Sequence, residues 1–268
     1  MKKIKNLICL ALAVLSLSML GAWAPANAAS AETRYADAQF YSTYATETVT
    51  FDKKESEVQY NSAPHYSALN GMTNACGAVA GSEVIGYYDK YYPNMIPGWE
   101  SFYSASGKYK LQDSVYIPGV MNELYTLMRI NVGGSGVTES NFINGLTKYI
   151  TGKGYAVGMH SVLSGTSVDF DLCKIAICNN MVIALLSRAT DVYIVDEGTT
   201  QDSISTITIS DTHIMIASGY QEIKYYKNGS LFRTDRYLIV SSGSKNIGTV
   251  FYKLNNHKLD GAYIVNIV

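Results

Sequence analysis

The residue best suited to nucleophilic chemistry is a cysteine at the start of a helical pattern. Cys76 lies in the run Thr-Asn-Ala-Cys-Gly-Ala, and apolar residues recur at helical spacing from there to Tyr91. Unpaired N–H groups and the positive end of the dipole at a helix N-terminus favour a thiolate over a thiol. The small residues Gly77 and Ala78 would let another segment approach the sulfur. The alternative is that Cys76 is a small buried hydrophobic residue, the common fate of a free cysteine.

The cysteine count supports a free thiol. Cys9 lies in an apolar leader, so three cysteines remain beyond it, and an odd number leaves at least one unpaired. Cys173 and Cys178 are five residues apart in a predicted helix, where they point in different directions, so we expect no bridge between them. No second Cys/His pair or carboxylate cluster accompanies them, which argues against a metal site. Both are predicted to be structural, and Cys76 is the candidate reactive thiol.

A catalytic thiol needs a base that titrates near neutrality, and His213 is the best placed histidine. It opens the apolar strand pattern His-Ile-Met-Ile-Ala, so its ring is expected at a strand end rather than in mid-core. It follows Cys76 by an interval within the roughly 130 to 150 residues typical of papain-like enzymes. His65 and His160 are predicted to be surface residues. A helix-start cysteine followed by a strand-start histidine indicates a Cys–His pair.

The period of the hydrophobic pattern changes near the middle of the chain. The first half is mainly helical, with Thr138 and Asp169 as expected N-caps. The second half reads as short strands separated by turns. This order predicts an α+β fold in one domain, with a cleft between a helical and a sheet lobe. The predicted helices begin near residues 76, 122, 138 and 169, and the predicted strands span 155–159, 181–186, 192–195, 205–209, 213–217, 237–240, 249–254 and 262–268.

The first residues are predicted to be a secretory leader. Three lysines precede an apolar run, and Ala26-Asn27-Ala28 supplies small residues for cleavage, so residues 1–28 read as a signal peptide. The run is too short to favour a membrane span, and none is expected after cleavage. Residues 29–57 are polar without a sustained period and resemble a tether or short pro-segment, with one possible strand. Residues 58–268 form the predicted domain of a secreted, extracellular protein.

Charge and composition exclude several classes of partner. The formal net charge of the whole chain is −1, and three of its basic residues lie in the leader. No basic stripe indicates nucleic-acid binding, and no cationic amphipathic helix indicates a membrane surface. The 22 tyrosines suit an extracellular binding surface but name no ligand.

Several motifs together resemble the C39-like branch of the papain-like cysteine peptidases. They are Asn70 with Thr73-Asn74-Ala75-Cys76-Gly77, a helix ending in Tyr-Tyr-Asp, the strand Met-Val-Ile-Ala-Leu-Leu, and His213-Ile-Met-Ile-Ala-Ser-Gly-Tyr. The resemblance runs from about residue 60 to the end. It implies a papain-like fold, a bacterial origin and a peptide or protein substrate. It also implies that the Cys76 thiolate attacks a carbonyl carbon while His213 holds and then donates the proton, with no cofactor or metal.

The resemblance also implies two supporting positions, and the chain departs from the family at both. The side-chain amide of the oxyanion hole is usually a glutamine six residues before the cysteine, where this chain has Asn70; Asn74 is the alternative, unless it only caps the helix. The residue that orients the histidine is usually Asp or Asn before a glycine, where this chain has Ser242. Asn246 and Asp211 are alternatives to this serine.

Two other functions remain compatible with the sequence. Acyl transfer to an amine uses the same order of cysteine and histidine. A secreted binding module that has lost turnover would fit the unusual oxyanion and orienting positions and the many tyrosines. The sequence leaves open the cleavage preference, the removal of residues 29–57 and the oligomeric state.

Overall fold

A computed structural model describes residues 33–98, 116–165, 167–254 and 259–268, so the predicted signal peptide lies outside the described residues. Within them are helices α1 Cys76–Tyr88, α2 Ile117–Leu127, α3 Glu139–Gly152 and α4 Phe170–Cys178. The strands are β1 Arg34–Tyr35, β2 Phe40–Thr50, β3 Lys53–Tyr60, β4 Val137–Thr138, β5 Val157–Ser161, β6 Leu163–Ser164, β7 Ser167–Val168, β8 Val182–Ser187, β9 Thr190–Glu197, β10 Gln201–Ile209, β11 His213–Lys227, β12 Ser230–Ser241, β13 Thr249–Lys253 and β14 Leu259–Ile267.

Ten of these strands form one antiparallel sheet, and α1 to α3 pack together beside it. The strand order is β2-β10-β9-β13-β12-β11-β8-β14-β5, and β3 pairs with β11 off this path. The predicted α+β class is therefore confirmed. Strand β11 is central to the site because it begins at His213 and pairs with β8, β12 and β3.

Every residue of helix α1 is buried, so the helix is enclosed along its whole length and on every side. It packs against α2, α3 and β11. An apolar helix without a solvent face belongs to the interior, so its position is set by all of its neighbours together. The predicted helix start at Cys76 is confirmed, and the N-terminal end of α1 is a fixed point of the fold.

The predicted N-caps of two other helices are also confirmed. Thr138 Oγ1 accepts a hydrogen bond from the Asn141 N–H at 3.2 Å at the start of α3. Asp169 Oδ1 accepts from the Leu172 N–H at 2.9 Å at the start of α4. Each cap satisfies a backbone donor that lacks a partner within its helix. Helix α2 begins earlier than the pattern predicts because Pro118 is compatible with the first helical turn.

The amino-terminal part of the chain differs from the expected tether. Residues 40–60 form β2 and β3, which pair with β10 and β11 in the main sheet. Strand β3 is exposed along nearly its whole length, so its sequence lacks the apolar alternation by which strands are recognised. No helix in the described ranges has the length and apolarity needed to cross a bilayer.

We expect Gly145→Ala to destabilise the protein by about 2 kcal/mol or more, because it overpacks the contact between α2 and α3. A Cβ atom at Gly145 would lie 2.4 Å from Met128 Cγ and 2.8 Å from the Met128 backbone nitrogen. The matched control is Gly119→Ala in α2, where a Cβ would meet nothing within 4 Å. Alanine should stabilise that exposed helical position by about 0.5–1 kcal/mol. Denaturant unfolding measures both, and equal shifts of the two midpoints would contradict the packing argument.

Candidate active site

Cys76 is the first residue of α1 and is 3% exposed. The backbone N–H groups of Gly77 and Ile214 face its sulfur. The first of these belongs to the opening turn of α1 and the second to the start of β11. The sulfur therefore lies where the buried helix meets the sheet.

His213 is the first residue of β11 and is also buried. Its Nε2 lies 2.8 Å from the Ser242 carbonyl oxygen, and its Nδ1 lies 3.3 Å from the Ala36 carbonyl oxygen. The Phe40 ring packs edge-on against the imidazole, with the ring centroids 5.4 Å apart. Both ring nitrogens thus face backbone carbonyls, and the ring is held in one orientation.

Three observations place Cys76 and His213 in the same site. One of the two N–H groups that face the sulfur belongs to Ile214, the neighbour of His213. The charge of Asp37 acts on both groups. A Cβ at Gly243 would contact both Val79, one turn after Cys76, and His213 Nε2, at 3.4 and 3.7 Å. A direct hydrogen bond between the thiol and the imidazole is not found in the described part of the chain.

The site favours the uncharged forms of both groups. Burial raises the pKa of the Cys76 thiol, and the Asp37 carboxylate acts in the same direction. The facing N–H groups lower that pKa, but burial outweighs them. Burial likewise lowers the pKa of His213, against the opposite effects of the two carbonyls and Asp37. The thiolate expected at a helix N-terminus is therefore not favoured in this closed arrangement, whereas a neutral imidazole is.

The residue proposed to orient the histidine contacts it through a different atom from the one expected. Ser242 accepts from the imidazole through its backbone carbonyl, because its hydroxyl donates to the Ile247 carbonyl and accepts from the Ser244 N–H. The alternative Asn246 is exposed on the following loop, and among the described residues no hydrogen bond joins it to His213. The other alternative, Asp211, accepts from the Thr212 N–H.

The two candidate oxyanion amides lie in the loop before α1. Asn70 is exposed in a turn. Asn74 has a φ of 55°, and its Nδ2 donates to Asn131 Oδ1 at 2.8 Å. The helix N-cap is Ala75, without a side-chain cap, so Asn74 does not cap α1. Its amide is instead held against the loop that contains Asn131.

In the part of the chain that the structure describes, the other cysteines and the metal-ligating residue types form no second cluster. Within the described ranges Cys76, Cys173 and Cys178 form no disulfide bond, and Cys173 is fully buried. Across the described ranges, no group of three or more His, Cys, Asp and Glu side chains is arranged to hold a metal ion.

Comparison with known proteins leaves the site to be interpreted from its own geometry. No family model, curated protein or solved structure matches this chain. The arrangement around Cys76 and His213 is therefore the main basis for a functional assignment, together with the motifs of the sequence.

A buried glutamate beneath the site was not predicted as a functional residue. Glu83 is fully buried in α1, and its Oε1 accepts from the Ser241 hydroxyl and from the Tyr66 N–H. Its Oε2 has no partner among the described residues. His65 Nδ1 lies 2.7 Å from Ser241 Oγ, so the partly exposed His65 is joined to this network. Burial raises the pKa of Glu83 to about 8.

This network adjoins the carbonyl that holds His213, because Ser241 precedes Ser242 in the chain. The sequence does contain a signal for the buried position of Glu83. Glu83 lies two helical turns after Cys76, on the same face of a largely apolar helix. A charged residue in such a pattern is rarely buried without a reason.

Proposed function

We propose that this protein is a secreted cysteine peptidase with a papain-like, C39-like fold, in which Cys76 is the nucleophile and His213 the base. The observation that carries the proposal is the junction of two elements: the Ile214 N–H, beside His213 at the start of β11, faces the Cys76 sulfur at the start of α1. The order of cysteine and histidine and the predicted leader also support it.

The chemistry of this pair is that of a thiol with a neutral base. The imidazole takes the thiol proton as the sulfur attacks the peptide carbonyl carbon, and the carbonyl electrons move onto its oxygen. Backbone N–H groups at the start of α1 would stabilise that oxyanion. The histidine then gives its proton to the leaving amine, and water hydrolyses the thioester. The two products are a carboxylate and an amine.

The Ser242 carbonyl selects the tautomer that this chemistry needs. A neutral imidazole has one N–H, and donation from Nε2 to Ser242 leaves the lone pair on Nδ1 to act as the base. A backbone carbonyl carries no full charge, so it would stabilise an imidazolium less than a carboxylate does. This difference fits the low pKa of His213.

Substitution of the nucleophile tests the proposal. Cys76→Ala should lower the hydrolysis of a mixed peptide pool, followed by mass spectrometry, by about 10³-fold or more. The matched control is Cys173→Ala, which removes a buried thiol from α4, outside the site. It should retain hydrolysis if the protein folds. Undiminished cleavage by Cys76→Ala would disprove the assignment.

A non-catalytic binding module is the second candidate, and two observations favour it. Both nitrogens of His213 face backbone carbonyls, and burial favours the neutral thiol. A protein of this kind would bind peptides with equal affinity before and after Cys76→Ala and would cleave none. Acyl transfer is separated from hydrolysis by adding a primary amine and analysing the products for the amide.

A further inference from the structure

An extended segment of the chain itself runs between the helical side and the sheet side of this site. Residues 33–38, here called the amino-terminal segment, contain β1, which pairs with β4 on the helical side through Arg34↔Thr138 and Tyr35↔Val137. On the sheet side the Ala36 N–H donates to the Thr212 carbonyl at 3.3 Å. The Thr212 hydroxyl donates to the Arg34 carbonyl. The segment is therefore held by backbone contacts on both sides, directly beside His213.

Arg34 anchors the segment to the loop before β4. Its Nε donates to the Ser135 carbonyl at 3.0 Å, and one terminal nitrogen donates to the Val132 and Gly136 carbonyls at 2.9 and 3.2 Å. Three carbonyls of one loop thus converge on a single guanidinium. Such charge-assisted bonds are stronger than neutral ones.

The loop is shaped for a close backbone approach. Gly136 has a φ of 78°, and a Cβ atom there would lie 2.1 Å from the Tyr35 carbonyl oxygen. Only glycine meets both conditions without displacing the segment. The same glycine donates its N–H to Asn131, whose side chain also holds Asn74 beside the nucleophile. The loop that binds the segment is therefore connected to the loop before Cys76.

Tyr35 fills a closed pocket. Its side chain is 0% exposed, and its hydroxyl donates to Asp260 Oδ2 at 3.2 Å. Burial of a whole aromatic side chain stabilises the segment in its place, and the hydroxyl finds its partner inside the pocket. The following residue, Ala36, is small, and its side chain requires no pocket of that size.

The segment also engages the proposed base. The Ala36 carbonyl oxygen lies 3.3 Å from His213 Nδ1, and the next residue, Asp37, lies close enough for its charge to act on both Cys76 and His213. A peptide carbonyl of the chain thus lies against the nitrogen that would take the thiol proton. With the proton on Nε2 both atoms are acceptors, so the carbonyl blocks Nδ1 by its position and not by a hydrogen bond. While it remains there, an external peptide has no access to that nitrogen.

We propose that the place occupied by this segment is the peptide groove of the Cys76–His213 site, and that residues 34–37 fill the groove as an intramolecular inhibitor. The groove selects an extended segment in which tyrosine precedes a small residue. The description of the groove as a substrate site rests on the proposed peptidase function. Occupation of the groove by the segment does not, and it can be measured without turnover.

The first experiment measures the access of a reagent to Cys76. The purified protein is treated with iodoacetamide, and modification of Cys76 is followed by peptide mass spectrometry. Arg34→Ala should increase the rate about tenfold or more over wild type, and Arg34→Lys should give an intermediate rate. The matched control Arg236→Ala removes a guanidinium that pairs with Glu222 on the sheet, and it should leave the rate unchanged.

The second experiment tests selection by the groove. In Arg34→Ala, the peptide acetyl-Arg-Tyr-Ala-Asp-amide should slow alkylation of Cys76, and the same peptide with alanine in place of tyrosine should do so much less. Tyr35→Phe, which removes only the hydroxyl bound to Asp260, is the second variant if Arg34→Ala fails to fold. It should also increase the alkylation rate, by a smaller factor.

The outcomes separate the two proposals. Equal alkylation of wild type, Arg34→Ala and Tyr35→Phe would overturn the inference, as would equal protection by the two peptides. If wild type cleaves peptides at the rate of Arg34→Ala and its Cys76 is freely alkylated, the groove is open and only the peptidase proposal survives. If opening and peptide protection occur but no peptide bond is cut, the groove is real and the peptidase proposal fails.

Discussion

Replacing His213 by glutamine should lower peptide hydrolysis by about 10³-fold while the fold is retained. A positioned base contributes roughly 10²–10⁴-fold, and a thiol whose pKa is raised by burial depends on that base more than an exposed one does. Glutamine can still donate to the Ser242 carbonyl, which would otherwise lose its buried partner. It cannot accept and return a proton near neutrality. The substitution therefore separates the structural contact of His213 from its chemistry.

Three measurements check this expectation. Circular dichroism and denaturant unfolding establish that the variant folds, and hydrolysis is measured as kcat/KM against pH. In wild type the rate should rise with pH through the pKa of the base, which burial lowers, and that acid limb should vanish in the variant. His160→Gln is the matched control, because His160 lies exposed in β5. If both variants hydrolyse peptides equally, His213 is not the base.

Replacing Glu83 by glutamine should remove a large pH dependence of stability. An ordinary glutamate has a pKa of 4.5, and burial raises that of Glu83 to about 8. Between these values the unfolded chain has released a proton that the folded protein retains, so the free energy of unfolding falls as pH rises. The slope is about 1.4 kcal/mol per pH unit, and the whole interval amounts to several kcal/mol. The stabilisation that the protonated Glu83 contributes is complete below pH 4.5 and is lost as the pH rises above about 8.

Glutamine resembles the protonated carboxyl group and keeps an oxygen to accept from Ser241 and Tyr66. Urea unfolding at several pH values should therefore show a nearly flat profile for Glu83→Gln, and at pH above 8 the variant should be more stable than wild type. The control is Glu123→Gln, at an exposed carboxylate of α2 paired with Lys153. Parallel profiles for wild type and Glu83→Gln would show that Glu83 is already ionised in the folded protein.

The features that sequence predicts well are those decided by neighbouring residues. The start of α1 at Cys76 follows from a sharp change from turn residues to an apolar helical pattern. Thr138 and Asp169 are recognisable as caps because each side chain bonds a backbone group only three residues away. The α+β order follows from the change of period along the chain.

Other features depend on contacts that no local pattern records. Arg34 bonds carbonyls about one hundred residues away, and nothing near it in the sequence marks that destination. The exposed β3 lacks apolar alternation, and the burial of Glu83 depends on three elements that surround α1. Ser242 is a further example. The sequence indicates that this residue lies next to His213, but it does not indicate that the backbone carbonyl of Ser242, and not its hydroxyl, contacts the imidazole.

In the proposed groove, the short link between the amino-terminal segment and β2 would make the segment a tethered competitor. Phe40 begins a strand fixed in the sheet, so a released Ala36 stays within a few residues of its binding place. Short tethers give effective concentrations on the order of millimolar. To occupy the groove, an external peptide with the same affinity as the segment would need a concentration above that local concentration. A peptide of higher affinity would need proportionally less. The length of this link would thus set the peptide concentration that is needed to displace the segment. Peptides at trace concentration would not displace it, whereas concentrated or tightly binding peptides would.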